Sequence, residues 1–233
     1  MKLSVVIPCY NEVSTIERIL QAVRASPWPE IEVIVVDDGS KDGTRERLAG
    51  EIGKLADRVI LHEVNRGKGA ALRTGIQAAT GDLVIVQDAD LEYDPQEYPR
   101  LVAPIVEGRA DVVYGSRFRG SAENRVQNFW HTVGNRLLTL IANVFTDLNL
   151  TDMATCYKAF HRRVVPALHL ESKRFGVDAE ITVKVAHGGF RIFEVPVSYF
   201  ARSRAEGKKI RLYDGFAALG ALVRYSFAGR PPR

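Results

Sequence analysis

The sequence predicts an α/β protein, a three-layer sandwich of helices around a mainly parallel sheet. Three observations predict it. Short apolar runs rich in β-branched residues recur at 3–8, 31–37 and 83–87, and such runs suit strands covered on both faces. Stretches of helical periodicity, roughly 10–15 residues each, separate them, the alternation that gives parallel crossovers. Polar residues then stand at the ends of the runs, as Asn11-Glu12, Asp37-Asp38-Gly39-Ser40, Asp88-Ala89-Asp90 and Ser116-Arg117. Open sheets of this kind bind ligands beyond the carboxyl ends of their strands.

Taken in order, residues 3–8 read as a strand. Ser14-Thr15-Ile16-Glu17 reads as a capping box opening a helix to about residue 26. Residues 31–37 (IEVIVVD) form a continuous apolar strand, 43–55 a helix, 58–63 a strand and 68–79 a helix. The next buried strand is 83–87. Asp94 then supplies an N-cap, Pro95 a first helical position and Glu97 an acid at the third, for a helix to about residue 107. Residues 111–115 make a further strand. In the second half, 127–148 is helical through Phe129, Val133, Leu137, Leu140, Ile141 and Val144, yet apolar on more than one face, with Trp130 at its start. Residues 177–188 read as a helix, 190–200 as a strand and 212–227 as an apolar helix carrying Arg224 and Tyr225.

Composition narrows the function classes. Hydrophobic residues make up 46% and charged residues 26%, as in an ordinary globular protein. No window approaches the roughly 20 apolar residues of a membrane span, and Met1-Lys2 runs directly into a strand pattern, so a cytoplasmic protein is expected. Cys9 and Cys156 are the two cysteines and neither lies in a metal-binding spacing. The net charge of +4 suits a partner that is polyanionic, a nucleotide or an anionic membrane face. No zinc-finger, RNP or basic-region pattern points to nucleic acid.

The richest stretch is 84–92, where an apolar run leads into Asp88, Asp90 and Glu92 at alternate positions. In extended geometry alternate residues point to one side, so the three carboxylates are expected to converge, and they crowd cheaply only around positive charge. All-oxygen ligation suits Mg2+ or Mn2+, which bridges protein carboxylates to substrate phosphates. Asn65-Arg66-Gly67-Lys68-Gly69 opens a helix and reads either as amides and cations for a phosphate or as a plain helix start. Arg202-Ser203-Arg204-Ala205-Glu206-Gly207-Lys208-Lys209 reads as a phosphate clamp, a set of flexible cations around a glycine.

In combination and in this order, Val6-Ile7-Pro8-Cys9-Tyr10-Asn11-Glu12, Val35-Val36-Asp37-Asp38-Gly39-Ser40, Asn65-Arg66-Gly67-Lys68-Gly69 and Asp88-Ala89-Asp90 resemble family 2 of the nucleotide-sugar glycosyltransferases. Within it the pattern is similar to dolichol-phosphate mannose synthases and related polyprenyl-phosphate glycosyltransferases. Gly115-Ser116-Arg117, Thr151-Asp152 through Tyr157-Lys158-Ala159-Phe160, and the basic run from Arg202 extend the resemblance from residue 3 to about 212. It implies a GT-A fold with a Rossmann-like sheet over the whole chain, 1–118 being the nucleotide-sugar half and 119–233 the acceptor and membrane-interface half.

The resemblance also implies site residues. Pro8, Tyr10, Glu12, Val36 and Asp38 border the base and ribose. Asp88, Ala89 and Asp90 meet ribose, diphosphate and Mg2+ or Mn2+, with Asp90 the principal metal ligand and Glu92 a second. Arg117, Arg202 and Lys208 hold the donor diphosphate and the acceptor phosphate. The expected reaction is inverting hexosyl transfer, mannose from GDP-mannose, onto a polyprenyl or dolichyl phosphate, with UDP-glucose as alternative donor. A lipid phosphate is already anionic and needs no base. A sugar hydroxyl needs one, and Asp178 and Glu180, in Phe175-Gly176-Val177-Asp178-Ala179-Glu180, are the candidates.

Many relatives add C-terminal membrane spans. The sequence ends at Arg233 without one, so peripheral contact at the cytoplasmic membrane face, or a membrane partner protein, is expected. Two other classes remain. A sugar nucleotidyltransferase calls for a Gly-rich GxGxR signature where Pro8-Cys9-Tyr10-Asn11-Glu12 stands, and a non-catalytic nucleotide-binding module calls for loss of an acid at 88 or 90.

Overall fold

Seven strands form one sheet in the order β3-β2-β1-β4-β6-β5-β7. The computed structural model describes residues 1–120, 123–202 and 212–227. Strands β1 (Leu3–Cys9), β2 (Ile31–Asp37), β3 (Arg58–Leu61) and β4 (Leu83–Val86) pair in parallel around β1. β1, β2 and β4 are buried almost throughout, as their largely apolar sequences require, and two buried exceptions, Ser4 and Glu32, bond to each other. Helix α1 (Ile16–Arg24) joins β1 to β2 and turns Ile16, Ile19, Leu20 and Val23 inward. Helix α3 (Lys68–Ala78) joins β3 to β4 and packs on β1 and β2. The β1-to-β2 and β3-to-β4 crossovers step in opposite directions across the sheet, so right-handed connections put α1 and α3 on opposite faces.

The expected elements are found with local corrections. The capping box does not form: Thr15 is the N-cap of α1 and makes no capping bond. Its hydroxyl donates instead to Glu12 at 2.8 Å. The helix expected over 43–55 breaks at Gly50, whose extended backbone separates α2 (Thr44–Ala49) from a 3-10 turn, Glu51–Leu55. Asp94 does cap, accepting from the Gln96 amide at 2.9 Å, but it opens a 3-10 turn that leads into α4 (Tyr98–Val106).

One strand went unanticipated, and it matters most for the site. β6 (Lys158–His161) lies between β4 and β5 (Val112–Ser116), antiparallel to both. β7 (Ile192–Pro196) is parallel to β5 at the sheet edge and is shorter than the expected 190–200. Of these seven strands, six therefore run one way and β6 runs against them. The carboxyl ends of the six and the start of β6 open on the same edge, which brings Cys156, Tyr157 and Lys158 beside the end of β4.

Helices α5 (Phe129–Thr146), α7 (Val177–His187) and α8 (Leu212–Phe227) pack together, and a short helix, α6 (Val165–Leu168), precedes α7. Ala142, Met153, Ala179, Val183, Ala221, Leu222 and Tyr225 form their small core. α5 is turned inside out. It buries Asn135, Thr139 and Ala142 while Phe129, Trp130, Leu137, Leu140 and Val144 face solvent.

Candidate active site

The loops after β1 and β2 are bonded to each other at the carboxyl edge of the sheet. Asn11 takes a left-handed backbone (φ 52). Its amide donates to Ser40 Oγ and its Oδ1 accepts from the Lys41 amide, both at 2.8 Å. Tyr10 is left partly exposed beside Pro8, and Val36 is buried in β2. Asp38 is brought to the same edge, but both of its carboxylate oxygens are engaged. Oδ1 meets His62 Nδ1 at 2.7 Å and the Arg66 amide at 3.0 Å, while Oδ2 accepts from the Gly67 amide at 2.6 Å. Asp38 thus closes the 62–67 loop.

The glycines of Asn65-Arg66-Gly67-Lys68-Gly69 serve close packing. The Gly69 and Ala70 amides donate to the Lys173 carbonyl at 3.0 and 3.3 Å. A Cβ at Gly67 or Gly69 would fall 2.1 Å from the Lys173 oxygen or 2.0 Å from that of Ser172. Of the two readings of this segment the helix start prevails, because its amides are used within the chain. The segment delivers the Lys68 ammonium to Asp88.

β4 ends at Val86, and Gln87 anchors the acidic turn by accepting from the Tyr98 and Tyr157 hydroxyls at 2.8 and 2.7 Å. Leu91 is left-handed (φ 63) in that turn, so Asp88, Asp90 and Glu92 do not keep the expected extended geometry. Each acid finds different company. Burial pushes Asp88 up, but the Lys68 ammonium at 2.8 Å and the Cys156 thiol hold it below its ordinary value. Asp90 is pushed up to about 7 by burial and by the Asp88 and Glu92 charges, against the Arg202 guanidinium at 3.0 Å. Glu92 accepts from the Tyr199 hydroxyl at 2.7 Å and the Arg202 amide at 2.8 Å. Ala89 is buried under the turn.

Among the described residues no three Asp, Glu, His or Cys side chains gather closely enough to hold a metal ion by themselves. The donor chemistry nonetheless suits a hard divalent cation shared with a diphosphate. The Asp88 and Glu92 charges press on Asp90, and a cation held there would offset that repulsion.

The cations are distributed unevenly. Arg202 reaches Glu12 at 3.2 Å as well as Asp90. Arg117 is turned away from the acids into a buried bidentate pair with Asp152, two bonds of 2.7 Å, and lies 5.0 Å over the Tyr199 ring. Residues 203–209 of the basic run, Lys208 among them, lie outside the described residues. Asp178, at the start of α7, is met at 2.5 Å by the ammonium of Lys158, which also donates to the Thr155 carbonyl. Glu180 is fully buried and accepts from the Glu171 and Ser172 amides and from Lys184, so it fastens the loop before α7. Lys158, Cys156 and Tyr199 received no role of their own from the sequence, and Lys68 only one shared with its segment, as a cation for phosphate. Nothing local marks Lys158: the strand that buries it carries no strand pattern, and the carboxylate that a buried ammonium requires lies 20 positions away.

The model of the family "Glycosyl transferase family 2" matches residues 4–168. The chain belongs to that family. An undecaprenyl-phosphate mannosyltransferase of Micrococcus luteus is 32% identical, with 99% of this chain and 96% of that protein aligned. A dolichol-phosphate mannosyltransferase of Pyrococcus furiosus is 28% identical over 89% of this chain. An undecaprenyl-phosphate 4-deoxy-4-formamido-L-arabinose transferase of Aeromonas hydrophila is 32% identical over 88%. The chain spans 59% and 62% of the length of these last two relatives. Among solved structures, the glucosyl-3-phosphoglycerate synthase of Mycobacterium tuberculosis, in complex with Mn2+, UDP and glucosyl-3-phosphoglycerate, superposes with a TM-score of 0.73 at 24% identity. The superposition covers 97% of this chain and 80% of that one. The fold is the GT-A fold that the resemblance implied.

Proposed function

We propose that this chain transfers a hexose from a nucleotide-sugar to a polyprenyl phosphate, with inversion at the anomeric carbon. The observation that carries the choice of acceptor is the Lys158–Asp178 pair. Asp178 is the candidate base, yet protonating it would take from the buried Lys158 ammonium the carboxylate that it contacts. A hydroxyl acceptor needs that proton removed, whereas a phosphate oxygen attacks as it stands. The names of the three similar transferases share a polyprenyl phosphate and differ in the sugar, whereas the solved synthase is named for glucosyl-3-phosphoglycerate. Mannose from GDP-mannose is the preferred donor and UDP-glucose the alternative.

In this reading the acceptor oxygen bonds to the anomeric carbon as the bond to the diphosphate breaks, and a nucleoside diphosphate leaves. Glu12, Tyr10 and Pro8 border the base and ribose, beside Val36 and the loop that Asp38 closes. Asp90, with Asp88 and Ala89 beside it, would hold Mg2+ or Mn2+, which neutralises charge on the leaving diphosphate. Arg202 and Lys208 supply positive charge to the phosphates. Arg117 positions Tyr199, and through it Glu92 and the Arg202 segment.

Among the described residues no helix is long and apolar enough to cross a membrane. The outward apolar stripe of α5 instead supports peripheral contact with the membrane that carries the lipid, at its cytoplasmic face. The deciding experiment offers GDP-mannose and UDP-glucose with Mg2+ or Mn2+ to the protein and polyprenyl phosphate in detergent, and reads nucleoside diphosphate release. Release that depends on the lipid phosphate is expected. Transfer only to sugar hydroxyls would overturn the assignment.

A further inference from the structure

The Arg202 guanidinium is ringed by acids. Nη1 and Nη2 meet the two oxygens of Glu12 at 3.2 and 3.3 Å, and Nη2 meets Asp90 Oδ2 at 3.0 Å. Nε faces Glu92 Oε1 at 3.7 Å, and the Arg202 amide is clipped to that same oxygen at 2.8 Å. Four elements converge here: the loop after β1, the turn after β4, the segment after Tyr199, and the Arg117–Tyr199 stack behind it. The backbone clip is independent of the side chain, so the guanidinium can leave the acids while the segment stays in place.

Asp90 is also the oxygen donor assigned to the divalent cation, and an arginine and a cation cannot share one carboxylate at contact distance without strong repulsion. We infer that Arg202 and the divalent cation compete for Asp90, so that the cation enters as its complex with the donor diphosphate, whose oxygens take Arg202 in exchange. This rests on the nucleotide-sugar reading above. It goes beyond that reading by giving Arg202 a role before any transfer, as the cation that occupies Asp90 until the metal arrives. The exchange moves one cation from carboxylate to phosphate, a group that guanidinium binds well, while Glu12 and Asp90 are left with the incoming charge.

The test reads Mn2+ binding by electron paramagnetic resonance, with the full chain at pH 7.5 and Mn2+ alone or Mn2+ with GDP or UDP as probes. Wild type is expected to bind Mn2+ alone weakly, and about ten-fold or more tightly once a nucleoside diphosphate is present. Arg202→Met is expected to bind Mn2+ alone about ten-fold more tightly than wild type, and adding Asp90→Asn should remove the gain. Arg202→Lys keeps the charge and should stay near wild type, with thermal melts showing that each variant is folded. Equal or weaker Mn2+ binding by Arg202→Met overturns the inference. A gain that survives Asp90→Asn, or appears equally in Arg202→Lys, also overturns it. Because the readout is binding, absence of transfer to polyprenyl phosphate sinks the functional reading and leaves this one standing.

Discussion

Lys158, fully buried at the start of β6, holds its ammonium 2.5 Å from the carboxylate of Asp178 at the start of α7. The two partners are unequally exposed, 1% against 16% of their side chains. Removing the lysine leaves a carboxylate that water still reaches. Removing the carboxylate strands a sealed ammonium. Asp178→Ala is therefore expected to cost about 3–5 kcal/mol in urea unfolding, and Lys158→Met distinctly less. Asp178→Asn keeps an acceptor for the ammonium and should retain substantial transfer to lipid phosphate. Near-complete loss of turnover with donor binding intact would point to a hydroxyl acceptor.

Asp90 gives a pH dependence with a defined sign. Its carboxyl is raised from 3.8 to about 7, so between those values the folded chain keeps a proton that the unfolded chain has released. Stability falls as pH rises through that window, by up to about 4 kcal/mol. Asp90→Asn lacks this penalty. In chelator, its melting temperature relative to wild type should climb between pH 5 and pH 7.5. An unchanged gap would contradict the burial and charge assigned to Asp90.

The Arg117–Asp152 pair carries a structural expectation. With both side chains sealed and two bonds of 2.7 Å, Asp152→Ala should destabilise by about 3–5 kcal/mol. Arg117→Lys should not restore the native value, because an ammonium cannot make the fork. Urea denaturation of the two variants checks both statements.

Gly69 tests the reading of the segment after β3. A methyl there meets the Ser172 carbonyl at 2.0 Å, and backbone must shift to admit it. Gly69→Ala is expected to lose about 2 kcal/mol or more of stability. Faster amide exchange at 171–175, measured by mass spectrometry, should accompany the loss. A phosphate cradle would instead lose nucleotide binding with stability unchanged.

The outward stripe of α5 predicts vesicle binding. Trp130 is 79% exposed and Leu137 55%, so Trp130→Ser with Leu137→Ser should change stability by no more than about 0.5 kcal/mol per site. The same double variant should lose flotation with anionic vesicles and the blue shift of Trp fluorescence. Undiminished flotation would remove α5 from the membrane contact.

Much of this protein was legible one strand at a time. The runs at 3–8, 31–37 and 83–87 are buried on both faces, and burial on both faces writes itself locally as a predominance of Val, Ile and Leu. β6 was not legible. Four residues beginning with lysine and ending with histidine carry no strand pattern, and their place is fixed by Ile85 and Tyr114, which pair with Ala159 and Lys158. The acidic turn was legible as a cluster of charges but not as a geometry. The left-handed Leu91 reshapes it, and the aromatic floor beneath it holds Gln87 from Tyr98 and Tyr157.

By itself the sequence determined the layered α/β architecture and the edge on which the acids collect. Both follow from periodicity, and periodicity is a property of neighbouring residues. Tertiary structure alone decided which charges are paired. Asp90 meets Arg202 across 112 positions, Arg117 meets Asp152 across 35, and Lys158 meets Asp178 across 20. An ionised side chain has the same letter whether it faces water, a metal or a buried counter-ion, and its chemistry is set by what the fold brings within about 4 Å of it.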